Sequence, residues 1–173
     1  MFALLAVLVP IVDQVTKAIV IRYLPEYESV TVIPGLLAWT HVRNPGAAFG
    51  LLPFQRSLFI AVAALLVVAA VVFRRRIFAE PPLVQAALGL GLGGAVGNMI
   101  DRLRTGFVTD FIDVPLIPVF NVADTAIVCG VALLLWASFF YKPAGEGTGK
   151  DTADPASAQC APAGAEGERT SDG

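Results

Sequence analysis

The sequence predicts an all-α membrane protein with a small β element: four transmembrane helices and a hairpin-like sheet between the first and second helices. Its 173 residues are 56% hydrophobic and only 15% charged, and the mean hydropathy is +0.72, whereas soluble domains carry about 25% charged residues. Several apolar segments also approach the roughly 20 residues that cross a hydrocarbon core. Because lipid leaves no other way to satisfy the backbone of isolated segments, these segments should be helices.

The four predicted spans differ in how purely apolar they are. The first, at about residues 2–24, contains Asp13, Gln14 and Lys17. It lacks the basic start and the small-residue cleavage site of a signal peptide, so we interpret it as a retained span. The other three predicted spans are apolar and cover about residues 57–73, 83–100 and 122–141.

Residues 1–143 are therefore predicted to form one four-helix transmembrane domain. Residues 144–173 contain no Val, Ile, Leu, Met, Phe, Trp or Tyr, so we expect a disordered cytoplasmic tail. The link between the second and third spans carries three consecutive arginines, Arg74–Arg76. By the positive-inside rule this density of charge predicts cytoplasmic termini and places the loops 25–56 and 102–121 outside.

The β element is predicted within the first outer loop. Ser29–Ile33 alternates β-branched and polar residues, Pro34-Gly35 is typical of a turn, and Leu36–Val42 again resembles a strand. We expect a small extracytoplasmic hairpin here. In the second outer loop, Pro115 and Pro118 exclude a long helix, and the residues before them are interpreted as loop.

Composition and motifs exclude several classes of function. Twelve basic residues against 14 acidic residues give a net charge of −2, which is not the basic surplus of a nucleic-acid-binding protein. One histidine and two distant cysteines do not make a zinc site. Gly89, Gly91 and Gly94 match G-x-G-x-x-G but lack the preceding strand of a dinucleotide site. The overlapping GxxxGxxxG of Gly89, Gly93 and Gly97 predicts close helix packing.

Polar residues gather at the outer ends of the predicted spans, where each has a structural and a functional interpretation. Asp13 and Lys17 share a helix face and could simply neutralise one another, although ionisable residues in spans often indicate function. Asn121 reads as the N-cap of the fourth span with Asp124 at its N3 position, where an acid complements the helix dipole. The candidate set that converges on this side is Asp13, Asn44, Asn98, Arg102, Asp110, Asn121 and Asp124.

Five short sequence motifs occur in a fixed order along the chain. They are DQVTK at 13–17, NPGAAFG at 44–50, GNMIDR at 97–102, VTDFID at 108–113 and FNVAD at 120–124. In this order, and across four spans, the chain resembles the bacterial lipoprotein signal peptidases (signal peptidase II) from about Leu5 to Tyr141. Arg43 departs from the family pattern, in which an aromatic residue is expected.

The resemblance implies an intramembrane aspartic endopeptidase that removes the signal peptide of diacylglyceryl-modified prolipoproteins by cleaving before the lipidated cysteine. It implies that Asp110 and Asp124 are catalytic. It assigns substrate binding to Asp13, Lys17, Asn44, Gly46, Asn98, Arg102 and Asn121. It implies no metal and no cofactor. The expected partners are lipobox-containing prolipoproteins and membrane lipids, for a monomer in the bacterial cytoplasmic (inner) membrane with its active site near the outer face.

The chemistry suits such a pair of acids. Two carboxylates a few ångströms apart cannot easily both ionise, so they share one proton. The ionised carboxylate can take a proton from water while the protonated one donates to the carbonyl oxygen. Because Asp124 is predicted at a helix N-terminus, it should be the more acidic, which leaves Asp110 as the protonated partner.

Two other classes of function, a transporter or channel subunit and a non-enzymatic scaffold, are alternatives to a peptidase. A proton-coupled transporter or channel subunit would use the acids as a relay, but a relay needs polar groups in the inner half of the spans as well. Spans two and four carry none there. A non-enzymatic scaffold held by glycine packing would leave Asp110 and Asp124 without a role.

Overall fold

The computed structural model describes residues 1–46 and 55–140. The predictions for the disordered tail, for the end of the fourth span and for the second half of the NPGAAFG block lie outside the described residues. Within the described ranges, the chain folds into helices that pack around one central helix and a small sheet that covers one end of them.

The described helices are α1 (Phe2–Tyr23), α2 (Gln55–Val72), α3 (Arg74–Ala79), α4 (Pro82–Arg104) and α5 (Val122–Phe140). Three of them, α1, α4 and α5, are long and apolar enough to cross a membrane, whereas the apolar helix at Arg56–Val72 is shorter. The arginine triplet lies in the short helix α3, which the sequence analysis treated as a link.

Glycines bring α1 and α5 into close contact with α4. A Cβ added at Gly89 would lie 2.7 Å from the carbonyl oxygen of Phe2, and one at Gly130 would lie 2.7 Å from the carbonyl oxygen of Ala87. At Gly93 the nearest atom would be Cβ of Val9, at 2.8 Å. Such close backbone approach requires small residues, so the packing role predicted for the glycine repeat is confirmed.

The direction of each helix follows from these contacts. Phe2 lies beside Gly89 and Asp13 lies beside Gly97, so α1 and α4 run parallel. Gly97 also lies beside Ala123 at the start of α5, so α5 runs antiparallel to α4. As a result, the end of α4, the start of α5 and the middle of α1 meet at the same level of the helix bundle.

The sheet has four antiparallel strands in the order β1 (Ser29–Ile33), β2 (Leu37–Asn44), β3 (Val108–Val114) and β4 (Ile117–Phe120). The predicted hairpin corresponds to β1 and β2. The interpretation of residues 108–120 as loop is corrected, since they form a second hairpin.

The second hairpin was missed for two physical reasons. Residues 108–111 of β3 are all buried, so this strand lacks the alternation of polar and apolar residues that marks a half-exposed strand. Proline is also uncommon within strands, but Pro118 lies in β4 at the edge of the sheet, where a missing N–H donor is tolerated.

The register of the sheet positions its end against the helices. Asn44 pairs with Val108, and Val42 pairs with Asp110. This register brings Asn44, the last residue of β2, close to Asp110 on β3. Phe111 packs against Val20 and Leu24 of α1 in a small apolar cluster. This cluster attaches β3, and with it Asp110, to the helix bundle.

Candidate active site

The two predicted catalytic acids are joined by one asparagine. Asp110 lies on β3 and is 2% exposed, whereas Asp124 lies in the first turn of α5. The side-chain amide of Asn121 donates to Asp110 Oδ1 at 2.6 Å. Its side-chain oxygen accepts from the backbone N–H of Asp124 at 2.9 Å. Asn121 therefore fixes the position of both carboxyl groups.

Asn121 and Asp124 also form a reciprocal cap at the start of α5. Asp124 Oδ2 accepts from the backbone N–H of Asn121 at 3.3 Å, while Asn121 caps the N–H of Asp124. This is the capping-box pattern with Asn and Asp at its two positions, and it confirms the predicted N-cap. The same cap fixes the rotamer of Asp124.

Asn98 supplies a second link between the acids. Its amide nitrogen donates to Asp124 Oδ1 at 2.8 Å. Its oxygen accepts from Asn121 Nδ2 at 3.2 Å and from Lys17 Nζ at 3.1 Å. Since a side-chain amide oxygen has two lone pairs, these two contacts use the full accepting capacity of the Asn98 oxygen.

Asn44 completes the contacts of Asp110 from the sheet. Its amide nitrogen donates to Asp110 Oδ2 at 2.9 Å, and its oxygen accepts from the backbone N–H of Gly46 at 2.8 Å. Each oxygen of Asp110 thus receives an amide donor, one from β2 and one from the start of α5.

The environment of Asp110 favours its protonated form. Burial raises the pKa of Asp110 from 3.8 to about 6, because a carboxylate removed from water is penalised. The negative charge of Asp124 adds to this increase in pKa, and the hydrogen bonds from Asn44 and Asn121 oppose it. Asp110 is therefore the member of the pair better placed to hold a proton.

An apolar cavity of about 680 Å³ leads to Asp124. Side chains of α2, α4 and α5 form most of its walls, among them Phe59, Leu66, Leu92 and Val131. Among the described residues, only Asn98, Arg102 and Asp124 contribute ionisable or amide side chains to this lining. The cavity is thus apolar along its length, with a polar end that contains one of the two acids.

Arg102 and Gly46 lie together at this polar end. The Arg102 guanidinium carbon is 4.5 Å from the centroid of the Phe59 ring, and Nη1 donates to the carbonyl oxygen of Asn98 at 3.3 Å. Gly46 has a φ of +78°, and a Cβ there would lie 3.8 Å from both Arg102 and Phe59. These are ordinary van der Waals distances, so a side chain at residue 46 is disfavoured by backbone strain at this positive φ and not by crowding.

Asp13 and Lys17 were predicted to bind substrate, but the structure places them beneath the acids rather than in the cavity lining. They are 0% and 2% exposed, and Lys17 Nζ lies 2.8 Å from Asp13 Oδ2. Lys17 also lies 2.9 Å from Asp101 Oδ2. In this structure Asp13 and Lys17 are therefore bonded to each other and to Asp101, at positions buried behind the acids.

Asp101 is a site residue that the sequence analysis did not select. It lies between Asn98 and Arg102 in the block GNMIDR. The available signal was its spacing: Asp101 is three residues after Asn98, so both lie on one face of the helix. Outside this cluster, His41 bonds to the Leu24 carbonyl oxygen at 2.8 Å, and Asp113 accepts from the Thr40 hydroxyl at 2.7 Å.

Metal ligation has no candidate residues in the described part of the chain. Within residues 1–46 and 55–140, no three His, Cys, Asp or Glu side chains lie close enough together to hold a metal ion. The described arrangement is instead a pair of carboxyl groups surrounded by three asparagines and one arginine.

Comparisons with known proteins identify the family. A sequence model described as Signal peptidase (SPase) II matches residues 5–140. The chain is 46% identical over 137 residues to a lipoprotein signal peptidase of Pelotomaculum thermopropionicum, covering 79% of this chain and 90% of that protein. It is 45% identical over 145 residues to the lipoprotein signal peptidase of Moorella thermoacetica, covering 84% and 95%.

Solved structures agree with the sequence comparisons. Two structures of bacterial membrane enzymes determined by the in meso method match the fold with TM-scores of 0.70 and 0.71. Their sequence identities to this chain are 38% and 37%. The matches cover 79% and 81% of this chain, and 86% and 93% of the solved chains. Together with the apolar helices, these matches establish a multi-pass membrane protein that belongs to the signal peptidase II family.

Proposed function

We propose that this protein removes the signal peptide of prolipoproteins as an intramembrane aspartic endopeptidase, with Asp110 and Asp124 as its catalytic pair. One observation carries the proposal. Asn121 donates from its side chain to the Asp110 carboxyl group and from its backbone N–H to the Asp124 carboxyl group. Two carboxyl groups from separate elements are thus held by one residue, and that of Asp124 lies at the polar end of an apolar cavity. Membership of the signal peptidase II family supports the choice of substrate.

The two acids have unequal surroundings that suit different tasks. Asp124 is half-buried and faces the cavity, so in its ionised form it can take a proton from a water molecule. That water attacks the scissile carbonyl carbon. Asp110, whose pKa is raised to about 6, donates its proton to the carbonyl oxygen, which gives a neutral tetrahedral diol. Asp124 then transfers its proton to the amide nitrogen while Asp110 takes a proton back from a diol hydroxyl. The C–N bond breaks to give an amine and a carboxylic acid, and both aspartates return to their starting protonation states.

The cavity suits the apolar parts of such a substrate. A signal peptide and the acyl chains of a diacylglyceryl group are both hydrophobic, and a cavity of about 680 Å³ with almost entirely apolar walls can bury them. Arg102 at the polar end can donate to carbonyl oxygens near the scissile bond. We therefore propose that Arg102, Asn44, Gly46, Asn98 and Asn121 form the polar end of the substrate site.

The proposed arrangement in the membrane uses all four longer helices. Helix α2 lines the cavity together with α4 and α5, so we propose that it crosses the membrane beside them despite its shorter apolar stretch. Both termini then lie in the cytoplasm, and the sheet and the acids lie near the outer face. A monomer contains every residue assigned to the site.

The test uses purified protein and one prolipoprotein in two forms, with and without diacylglycerol on the lipobox cysteine. The proposal predicts a size shift for the lipidated form and a rate at least tenfold lower for the unmodified form. Equal cleavage of both forms would contradict the lipid requirement alone. Absence of cleavage with correctly folded enzyme would contradict the proposed function.

A further inference from the structure

Two buried carboxylates beneath the active site hold the residues that precede the two catalytic acids. Asp13 Oδ1 accepts from the backbone N–H of Ala123 at 3.0 Å, and Ala123 directly precedes Asp124. A carboxylate oxygen of Asp101 accepts from the backbone N–H of Thr109 at 3.1 Å, and Thr109 directly precedes Asp110. Each catalytic acid is thus anchored at its backbone by a second acid.

A single ammonium group connects these two anchors. Lys17 Nζ lies 2.8 Å from Asp13 Oδ2 and 2.9 Å from Asp101 Oδ2. Gln14 reinforces the connection, since its amide nitrogen donates to Asp101 Oδ1 at 2.8 Å and to Asp13 Oδ2 at 3.3 Å. The three charged side chains, Asp13, Lys17 and Asp101, are called the carboxylate bridge below.

We propose that the carboxylate bridge sets the separation of Asp110 and Asp124, and that its three members are positioning residues for catalysis. The proposal rests on the assignment of Asp110 and Asp124 as the catalytic pair. It replaces the substrate-binding role expected for Asp13 and Lys17, whose buried side chains do not line the cavity.

The bridge is needed because the acids lie on elements with independent ties to the rest of the molecule. Asp110 is on a strand of the sheet, and Asp124 is on the first turn of a helix. Asn121 and Asn98 connect their side chains, and Phe111 packs β3 against α1. The bonds from Asp13 and Asp101 add direct contacts at the backbone positions next to the two acids. Through Lys17, α1 connects the backbone of β3 to that of α5.

A displacement of about 1 Å in a catalytic group can reduce the rate about 100-fold. Loss of the bridge should therefore reduce kcat by roughly that factor per folded molecule. KM should change less than threefold, because the bridge does not line the cavity. A residue that only supports folding would lower the yield or melting temperature and leave kcat per folded molecule unchanged.

The experiment compares Asp101→Asn, Asp13→Asn and Lys17→Met in the full-length chain, with folded enzyme quantified by gel filtration and thermal unfolding. The first two variants remove a negative charge near the acids and the third removes a positive charge. If the bridge acted through charge alone, these substitutions would move the pH–rate profile in opposite directions. Positioning predicts that all three lose kcat, and that Asp13→Asn and Asp101→Asn together lose less than the product of their separate effects.

The matched control is Gly89→Ala, whose added Cβ would lie 2.7 Å from the Phe2 carbonyl oxygen. Gly89 is 12 residues before Asp101 on α4, about 18 Å along the helix. It should lower the melting temperature while kcat per folded molecule stays within twofold of the unsubstituted enzyme.

The outcomes separate this proposal from the one on which it depends. Unchanged kcat in the three bridge variants, or effects of opposite sign, would overturn the bridge, provided that Asp110→Asn and Asp124→Asn are inactive. If Asp110→Asn or Asp124→Asn keeps its activity, the catalytic pair itself is wrong, and the bridge has nothing to position.

Discussion

Replacing Asp110 with asparagine should make the free energy of unfolding depend less on pH. The sign of the change follows from the burial of Asp110, which raises its pKa. An increase in pKa from 3.8 to about 6 corresponds to about 3 kcal/mol, since each pKa unit represents about 1.4 kcal/mol. Between these two values the folded protein retains a proton that the unfolded chain has released. The free energy of unfolding therefore falls as the pH rises through this range.

The variant lacks this contribution. Asparagine at position 110 also offers a single oxygen to the two amide donors of Asn44 and Asn121, and one unsatisfied donor costs about 1–3 kcal/mol. This cost does not depend on pH, so it is a constant offset. Relative to the unsubstituted protein, Asp110→Asn should become more stable by about 3 kcal/mol between pH 3 and pH 7.

The assay is equilibrium unfolding of both proteins in mild detergent at a series of pH values. Asp113→Asn is the matched control, because Asp113 lies on the same strand but is less buried and bonds to Thr40 outside the pair. If the stability of Asp110→Asn relative to the unsubstituted protein stays constant from pH 3 to pH 7, or falls as the pH rises, the reasoning is refuted.

Three further predictions follow from the proposed mechanism and topology. The value of kcat/KM should fall above about pH 6, as Asp110 loses the proton that it donates; a flat profile up to pH 9 would exclude this role. Deletion of residues 144–173 should leave cleavage within twofold, since this segment has no large apolar side chains, and a well-inserted but inactive truncation would contradict this. In a background without Cys129 and Cys160, a cysteine at Glu28 should react with an impermeant thiol reagent in intact cells and one at Arg75 should not; the reverse pattern would invert the topology.

Local sequence signals predicted the parts of the fold that depend on local interactions. The first strand has the predicted bounds, Ser29–Ile33, because its alternation and the following Pro34-Gly35 turn specify a hairpin without distant contacts. The N-cap at Asn121 could also be predicted from the local sequence, since a cap depends on residues within one helical turn. The observed α1 ends within one residue of its predicted limit.

Long-range contacts determine what the sequence analysis missed. The strand β3 becomes a strand by pairing with β2, which precedes it by more than 60 residues, and its burial on both faces removes the usual alternation. The spacing of Asp101 from Asn98 places both on one helix face, but its contacts with Lys17 and Thr109 depend on residues distant in sequence. The burial of Lys17 was also not predictable from its helix alone, because the second carboxylate that neutralises it belongs to α4.

The most direct test of the central claim is prolipoprotein cleavage by Asp110→Asn, Asp124→Asn and the double variant, with Asp113→Asn as control and folded protein quantified in each. Asparagine is close in shape to aspartate but can act neither as the base nor as the acid. The account predicts that each single variant of the pair loses nearly all activity, that the double variant loses little more, and that Asp113→Asn remains active. Substantial cleavage by either single variant, or loss of activity in Asp113→Asn alone, would contradict it.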